Sequence, residues 1–289
     1  MSTGRSRHPN LQDHGDVGSL GDTPMDFEIA GNAALVTASS SGLGKASAVA
    51  LAREGVNVVV NGRDEERLAA AREEVQSEAA AGADVVAQAG DLTDPDDVEA
   101  MVEATVDAFG GVDHLVTSAG GPAPLSTMET TDEDWYDAYD LLAMSVVRLV
   151  REAAPHLRAD GGGTIVNITS RTVKEARSTN VLSSSVRMGV IGLEKSLSQE
   201  LAPEVRANAV LPGSHETPRI REMFEAAVER GEADSYEEAR AARAESIPLQ
   251  RVGDPMELGN TVAFLSSPKS GFLTGVAIPI TGGSHASSL

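Results

Sequence analysis

The chain has 289 residues, 41% of them hydrophobic, which is enough for one α/β domain with a full core. It has no cysteine, which excludes disulfides, thiolate metal ligands and thiol nucleophiles together. Its 44 Asp and Glu against 23 Lys and Arg leave a net charge of −21, a balance that repels nucleic acid and anionic membranes.

Residues 1–24 are polar and glycine-rich, without apolar periodicity, and are predicted to form a disordered tail. The folded domain is expected over 25–289, with Met25 a candidate start. No apolar run reaches the ~18 residues of a bilayer span. No charged-then-apolar leader opens the chain, so a cytoplasmic protein is expected.

The alternation begins at Ala33–Val36, a short apolar strand. A small-residue turn follows, Thr37-Ala38-Ser39-Ser40-Ser41-Gly42-Leu43-Gly44, and then a helix over about 43–54. Such a turn aims backbone N–H groups and a helix N-terminus at an anion, typically a dinucleotide pyrophosphate. An ordinary βα turn explains the same residues when they are taken alone. Val56–Asn61 reads as a strand buried on both faces, and Asp64–Ala81 as a charged helix. Asp84–Ala89 is a third strand. Asp94-Pro95-Asp96-Asp97 opens a helix that runs to Phe109 and stops at Gly110-Gly111.

The second half continues the pattern. Strands are predicted at His114–Thr117, Gly163–Thr169, Arg206–Leu211 and Val276–Ile280. Single helices are predicted at Asp134–Leu157, Leu182–Leu201 and Pro255–Ser266, with a polar helical segment at Ile220–Ala244. Strands alternating with helices at this spacing imply one doubly wound parallel sheet of Rossmann type, with helices on both faces. No metal site is predicted.

These motifs, in this order, resemble the short-chain dehydrogenase/reductase family in its β-ketoacyl-carrier-protein-reductase-like branch, from about Phe27 to Gly283. The glycine-rich turn is similar to the family's Thr-Gly-x-x-x-Gly-x-Gly, with Ala38 in place of the first Gly, a change that a negative φ would accept. Asp91-Leu92 matches the adenine-contacting pair. Ser118-Ala119-Gly120 stands where the family has Asn-Ala-Gly. Pro212-Gly213, with Thr217, matches the loop beside the nicotinamide. The resemblance therefore implies a dinucleotide held by Thr37, Ser39, Ser40, Ser41, Gly42, Leu43, Arg63, Asp91, Leu92, Ser118, Ala119, Gly120, Arg187, Pro212, Gly213 and Thr217. Gly62 offers no acid to a ribose, and Arg63 offers a planar fork suited to a 2′-phosphate, so NADP is expected, with NAD the alternative. His215, on the same loop, reads as a surface residue.

The family reduces a carbonyl with Asn, Ser, Tyr and Lys. Ser170 matches the Ser. The Tyr, Lys and Asn positions fall on Ser183, Arg187 and Leu142. The expected catalytic set is therefore Ser170, Ser183 and Arg187, with Arg171 and Lys174 as further cleft candidates. A serine hydroxyl is a far weaker acid than a phenol, and Arg does not shuttle protons at neutral pH. Two functions stay open at this point. One is an NADP-linked oxidoreductase acting on a small-molecule carbonyl or alcohol with non-standard catalytic residues. The other is a catalytically weak or inactive nucleotide-binding or assembly protein. The resemblance also implies a homotetramer or homodimer, through the helices at 134–157 and 182–201 and the closing strand. The acidic composition, with Lys only at 45, 174, 195 and 269, resembles that of halophilic archaeal proteins.

Overall fold

The computed structural model describes residues 25–159 and 161–287. The tail predicted over 1–24 lies outside the described residues. Seven strands form one sheet, all parallel, in the order β3-β2-β1-β4-β5-β6-β7. They are β1 Ala33–Val36, β2 Asn57–Gly62, β3 Val85–Ala89, β4 His114–Thr117, β5 Gly163–Ile168, β6 Val205–Pro212 and β7 Ala277–Ile280. The order reverses between β1 and β4, so the strand ends part there and leave a crevice.

The helices are α1 Gly42–Arg53, α2 Glu65–Glu78, α3 Pro95–Phe109, α4 Asp132–Tyr139, α5 Ser145–Leu157, α6 Val181–Glu200, α7 Pro218–Glu229, α8 Tyr236–Glu245 and α9 Pro255–Ser266. One core layer joins α3, α5 and α6 to the sheet through Leu115, Leu149, Leu157 and Ile165, all buried. The other joins α1 and α9 to the opposite face through Leu51, Val58, Leu258 and Val262. The backbones of α1 and α9 approach closely. A Cβ on Gly259 would stand 2.4 Å from the Ala46 carbonyl oxygen, so only glycine fits this crossing.

Two helix expectations are corrected. The segment 134–157 is not one α-helix: α4 and α5 are separated by a π-helical turn, Asp140–Met144. Such turns re-aim the side chains they carry, frequently at functional sites. The segment 220–244 is two helices, α7 and α8, because Gly231 takes a left-handed φ of 71° and Ser235 caps α8 by accepting from the Glu238 N–H. Sequence periodicity sees polarity in both segments but not the extra residue per turn, nor the break.

One buried titratable group sits inside the sheet. His114 on β4 is 3% exposed, with its ring between the Asn32 side-chain amide (Nδ2 to Nε2, 3.0 Å) and the Thr164 hydroxyl (Nδ1 to Oγ1, 2.9 Å). The Asn32 amide N–H donates to Nε2, so Nδ1 carries the proton and donates to Thr164. Burial, and secondarily Arg206, push its pKa down to about 3. A neutral native imidazole means that the unfolded chain takes up the proton first as pH falls. Stability is therefore complete above the unfolded pKa of about 6.5 and is lost progressively below it, by up to about 1.4 kcal/mol per pH unit. Burial pushes the pKa of Glu194 up to about 8, and this contributes a slope of opposite sign over the same range. The His114 contribution is therefore expected as the difference in slope between the parent chain and His114→Gln in urea unfolding between pH 7 and pH 5.

Candidate active site

The cleft at the switch point has a volume of about 650 Å³ and runs along the C-terminal ends of β1, β2, β4, β5 and β6. That size suits a cofactor or a drug-sized ligand. Its floor is set by two buried polar braces. Thr37 Oγ1 donates to the Ser118 carbonyl at 2.8 Å and accepts from the Ser118 N–H at 2.9 Å, locking the end of β1 to the end of β4. Asn61, at the end of β2, accepts from the Ala38 N–H through Oδ1 at 3.1 Å and donates through Nδ2 to the Gln88 and Gly90 carbonyls. Sequence reading passed over Asn61. Its signal is a carboxamide at the end of an otherwise apolar buried strand.

These braces correct two expected ligand contacts. Thr37 and Ser39 are fully buried and do not reach the cleft. The Ser39 hydroxyl donates to the Val36 carbonyl at 2.7 Å and accepts from the Asn61 N–H at 2.9 Å. Their hydroxyls build the turn and are not offered to a phosphate. Ser40, Ser41, Gly42 and Leu43 do line the cleft. Ser41 is the N-cap of α1 but makes no side-chain capping bond, and the first turn of α1 carries no acid. The N-terminal end of α1 is thus positive and uncompensated. A Cβ on Gly42 would stand 3.6 Å from Thr217 Cγ2, so a side chain there would fill the gap between the turn and the loop after β6. A Cβ on Gly62 would fall 2.9 Å from the Cβ of Ser40, so glycine is required at the end of β2 for Ser40 to sit there. This cradle of small residues and free N–H groups fits a dinucleotide pyrophosphate.

Ala38 departs from expectation. Its φ is 45°, left-handed, not negative. Gly44 locks the conformation, since a Cβ there would stand 2.5 Å from the Ala38 carbonyl oxygen. A left-handed alanine costs about 1–2 kcal/mol.

At the end of the cleft beside β2, Arg63 is 79% exposed, with Nη1 3.5 Å from Asp91 Oδ2. The Asp91 pKa is lowered, first by the Thr93 backbone N–H and also by Arg63, against a desolvation effect that raises it. Asp64 caps α2, its Oδ1 accepting from the Arg67 N–H at 2.8 Å. Arg67 lines the cleft beside Arg63, one helical turn on, and was not singled out from the sequence. Leu92, Ala119, Gly120, Pro212, Gly213 and Thr217 line the cleft.

At the other end the structure brings Ser170, Ser183 and Arg187 into the same cleft. Ser170 follows β5 and accepts from the Thr172 N–H and hydroxyl at 3.2 and 3.0 Å. Ser183 and Arg187 lie one helical turn apart on α6, both buried. The Arg187 guanidinium donates to the Ile168, Ala119 and Gly120 carbonyls at 3.4, 3.4 and 3.2 Å. Burial, and then Arg219, push its pKa down to about 10, so it stays cationic at neutral pH. Leu142, carried by the π-helical turn, is buried and borders a small cavity shared with Arg187 and Ser118. Arg171 is in the cleft lining; Lys174 is not. His215 is corrected: it is 5% exposed, its Nδ1 has no hydrogen-bond partner among the described residues, and burial lowers its pKa.

A doubly wound sheet, a glycine-bearing βα turn at the switch point and a polar cleft above it define a Rossmann-type dinucleotide-binding architecture. The family model described as enoyl-(acyl carrier protein) reductase matches residues 37–285. The 3-oxoacyl-(acyl-carrier-protein) reductase of Staphylococcus aureus is 33% identical over 254 residues, covering 87% of this chain and 97% of that one. The L-sorbose reductase of Gluconobacter frateurii, solved with NADPH and L-sorbose, superposes with a TM-score of 0.86 at 31% identity, over 91% of this chain and 100% of that one. An NADPH-bound short-chain oxidoreductase of Pseudomonas aeruginosa, described as containing an atypical catalytic center, superposes with a TM-score of 0.81 at 33% identity, over 90% and 99%. The chain belongs to the short-chain dehydrogenase/reductase family of oxidoreductases.

Replacing Ala38 by glycine relieves the left-handed backbone and is expected to raise stability by about 1 kcal/mol. A higher urea midpoint at unchanged m-value would register it.

Proposed function

We propose that the protein is an NADP-linked reductase or dehydrogenase acting on a small-molecule carbonyl/alcohol pair. The carrying observation is that Ser170, Ser183 and Arg187 open onto the same cleft as the pyrophosphate turn. The relatives solved with NADPH support the cofactor class. The adenosine end supports the 2′-phosphate form. It presents Arg63, paired with Asp91, and Arg67, while Asp64 is spent as the cap of α2.

In this reading the dinucleotide is held at its pyrophosphate by the Ser40–Leu43 turn, at its adenosine end by Arg63, Asp91 and Leu92, and beside the nicotinamide by Ala119, Gly120, Pro212, Gly213 and Thr217. When bound it supplies the hydride chemistry. The chain supplies position and charge. Ser170 and Ser183 donate hydroxyl bonds that orient the carbonyl oxygen. The Arg187 cation, fixed on three backbone carbonyls, stabilises negative charge developing there. No side chain of this set is a competent acid at neutral pH, so the proton comes from water. Leu142 places an apolar side chain at the family's Asn position, which keeps that proton route out of the π-helical turn. Thr37 and Ser39 serve as structural members of the turn.

Two measurements test this reading. Absorbance at the nicotinamide band, followed with a carbonyl panel over a range of KCl concentrations, is expected to show saturable NADPH oxidation. Ser170→Ala should lower kcat by about 10²-fold. NADPH binding without turnover of any compound would refute the reductase reading and favour a nucleotide-binding protein. For the cofactor, Arg63→Ala is expected to weaken NADPH about tenfold and NADH less than about twofold, as for loss of a charge-assisted phosphate bond. Equal weakening of both would refute the 2′-phosphate role.

A further inference from the structure

The chain carries nearly two acids for every base, yet five arginines line the cleft beyond the adenosine end: Arg171, Arg177, Arg187, Arg219 and Arg243. Among the described residues none of the five forms an ion pair with a carboxylate. Arg187 and Arg219 are engaged by backbone carbonyls of the segment after β4; Arg219 Nη2 lies 3.5 Å from the Pro122 oxygen. The other three come from two parts of the chain. Arg171 and Arg177 lie in the segment that follows Ser170, and Arg243 lies on α8.

Each of these three has donors to spare. Arg171 is 8% exposed and uses Nη1 on the Ser284 hydroxyl at 2.9 Å. Arg243 uses Nε on the Ser214 hydroxyl at 2.8 Å. The exposed Arg177 guanidinium makes no hydrogen bond among the described residues. A guanidinium has five N–H donors, so most remain for a ligand. The three charges are close enough to act on one another. Burial, followed by Arg177 and Arg243, pushes the Arg171 pKa down to about 10, and burial followed by Arg177 lowers that of Arg243. Glu175 is the carboxylate that opposes this at Arg171, and its Oε1 already accepts from the Ala286 N–H. Like charges gathered in a partly buried cleft destabilise the chain unless a counter-charge binds there.

We propose that the substrate carries, besides its reacting carbonyl or alcohol, an anionic group, a carboxylate or a phosphate, and that Arg171, Arg177 and Arg243 bind it. The reacting group in this statement rests on the reductase reading; the anion site does not. A small anion suits the site because these arginines line a cleft in a protein whose net charge of −21 repels anionic macromolecules.

The test uses the full chain with saturating NADPH, so that the cofactor's own phosphate sites are filled. Malonate and inorganic phosphate are titrated separately at fixed ionic strength, and the unfolding midpoint is read. A saturable rise is expected. Arg177→Gln and Arg243→Gln should each weaken that response about tenfold while the NADPH Kd moves less than about twofold. Arg171→Lys, which keeps the buried charge, should retain most of it. Tighter binding of malonate identifies a carboxylate, and tighter binding of phosphate a phosphate ester. No saturable rise, a response unchanged in both Gln variants, or NADPH affinity falling as much as the oxyanion response would overturn the proposal. In turnover, keto acids should exceed their methyl esters about tenfold in kcat/KM, through KM. An oxyanion response without turnover of any carbonyl would overturn the reductase reading and leave the anion site standing.

Discussion

The reciprocal hydrogen bonds between Thr37 and the Ser118 backbone are the constraint on which the site depends. At the switch point β1 and β4 are neighbours whose chains leave in opposite directions. Buried hydroxyls are costly unless bonded, so the pair both satisfies Thr37 and fixes the spacing of two strand ends. The Ser39 and Asn61 braces extend the same lock to β2. With the floor rigid, Ser40, Ser41, Gly42 and Leu43 hold their cleft-facing positions, and the turn tolerates a left-handed Ala38.

The two ends of the cleft are built differently. The half beside the Ser40–Leu43 turn and the end of β2 uses small residues, backbone N–H groups and exposed arginines. The half beside Ser170 uses a buried cation. Arg187 is held on three carbonyls at and just after the ends of β4 and β5, and this is how a guanidinium is kept charged where burial works against it. An arginine so anchored delivers fixed positive charge and planar donors, not a proton. In the proposed reaction this weights the cleft toward electrostatic stabilisation, with proton supply left to water.

The contrast between surface and cleft is the second organising feature. The chain is acidic, while one half of the cleft gathers Arg171, Arg177, Arg187, Arg219 and Arg243, none paired with a carboxylate among the described residues. Other arginines do find carboxylates, as Arg251 with Glu257 and Arg240 with Glu216. Five without such a partner in one cleft are the basis of the proposed anion site.

Sequence pattern by itself determined the alternating elements and the parallel sheet; the small-residue turn read as a cofactor turn only with the family resemblance. Buried parallel strands read as apolar runs, helix ends carry their own caps, and glycines at fixed spacing mark a tight turn. The family resemblance grouped Ser170, Ser183 and Arg187 as one set, and helix periodicity by itself put only Ser183 and Arg187, one turn apart, on a shared face. What tertiary structure decided were the matters of direction. Thr37 and Ser39 turn inward because the strand ends need their hydroxyls. His215 is buried because the closely approaching Gly253 and the loop around it cover its ring. The π-helical turn at Asp140–Met144 inserts a residue that periodicity does not see. The arginines of the segment after β5 and of α8 are far apart in sequence, and only the tertiary fold, which ties α8 to the loop after β6 through Arg243 and Ser214, brings them into one cleft. Local pattern records which residues are polar; where a polar group points is settled by what packs against it.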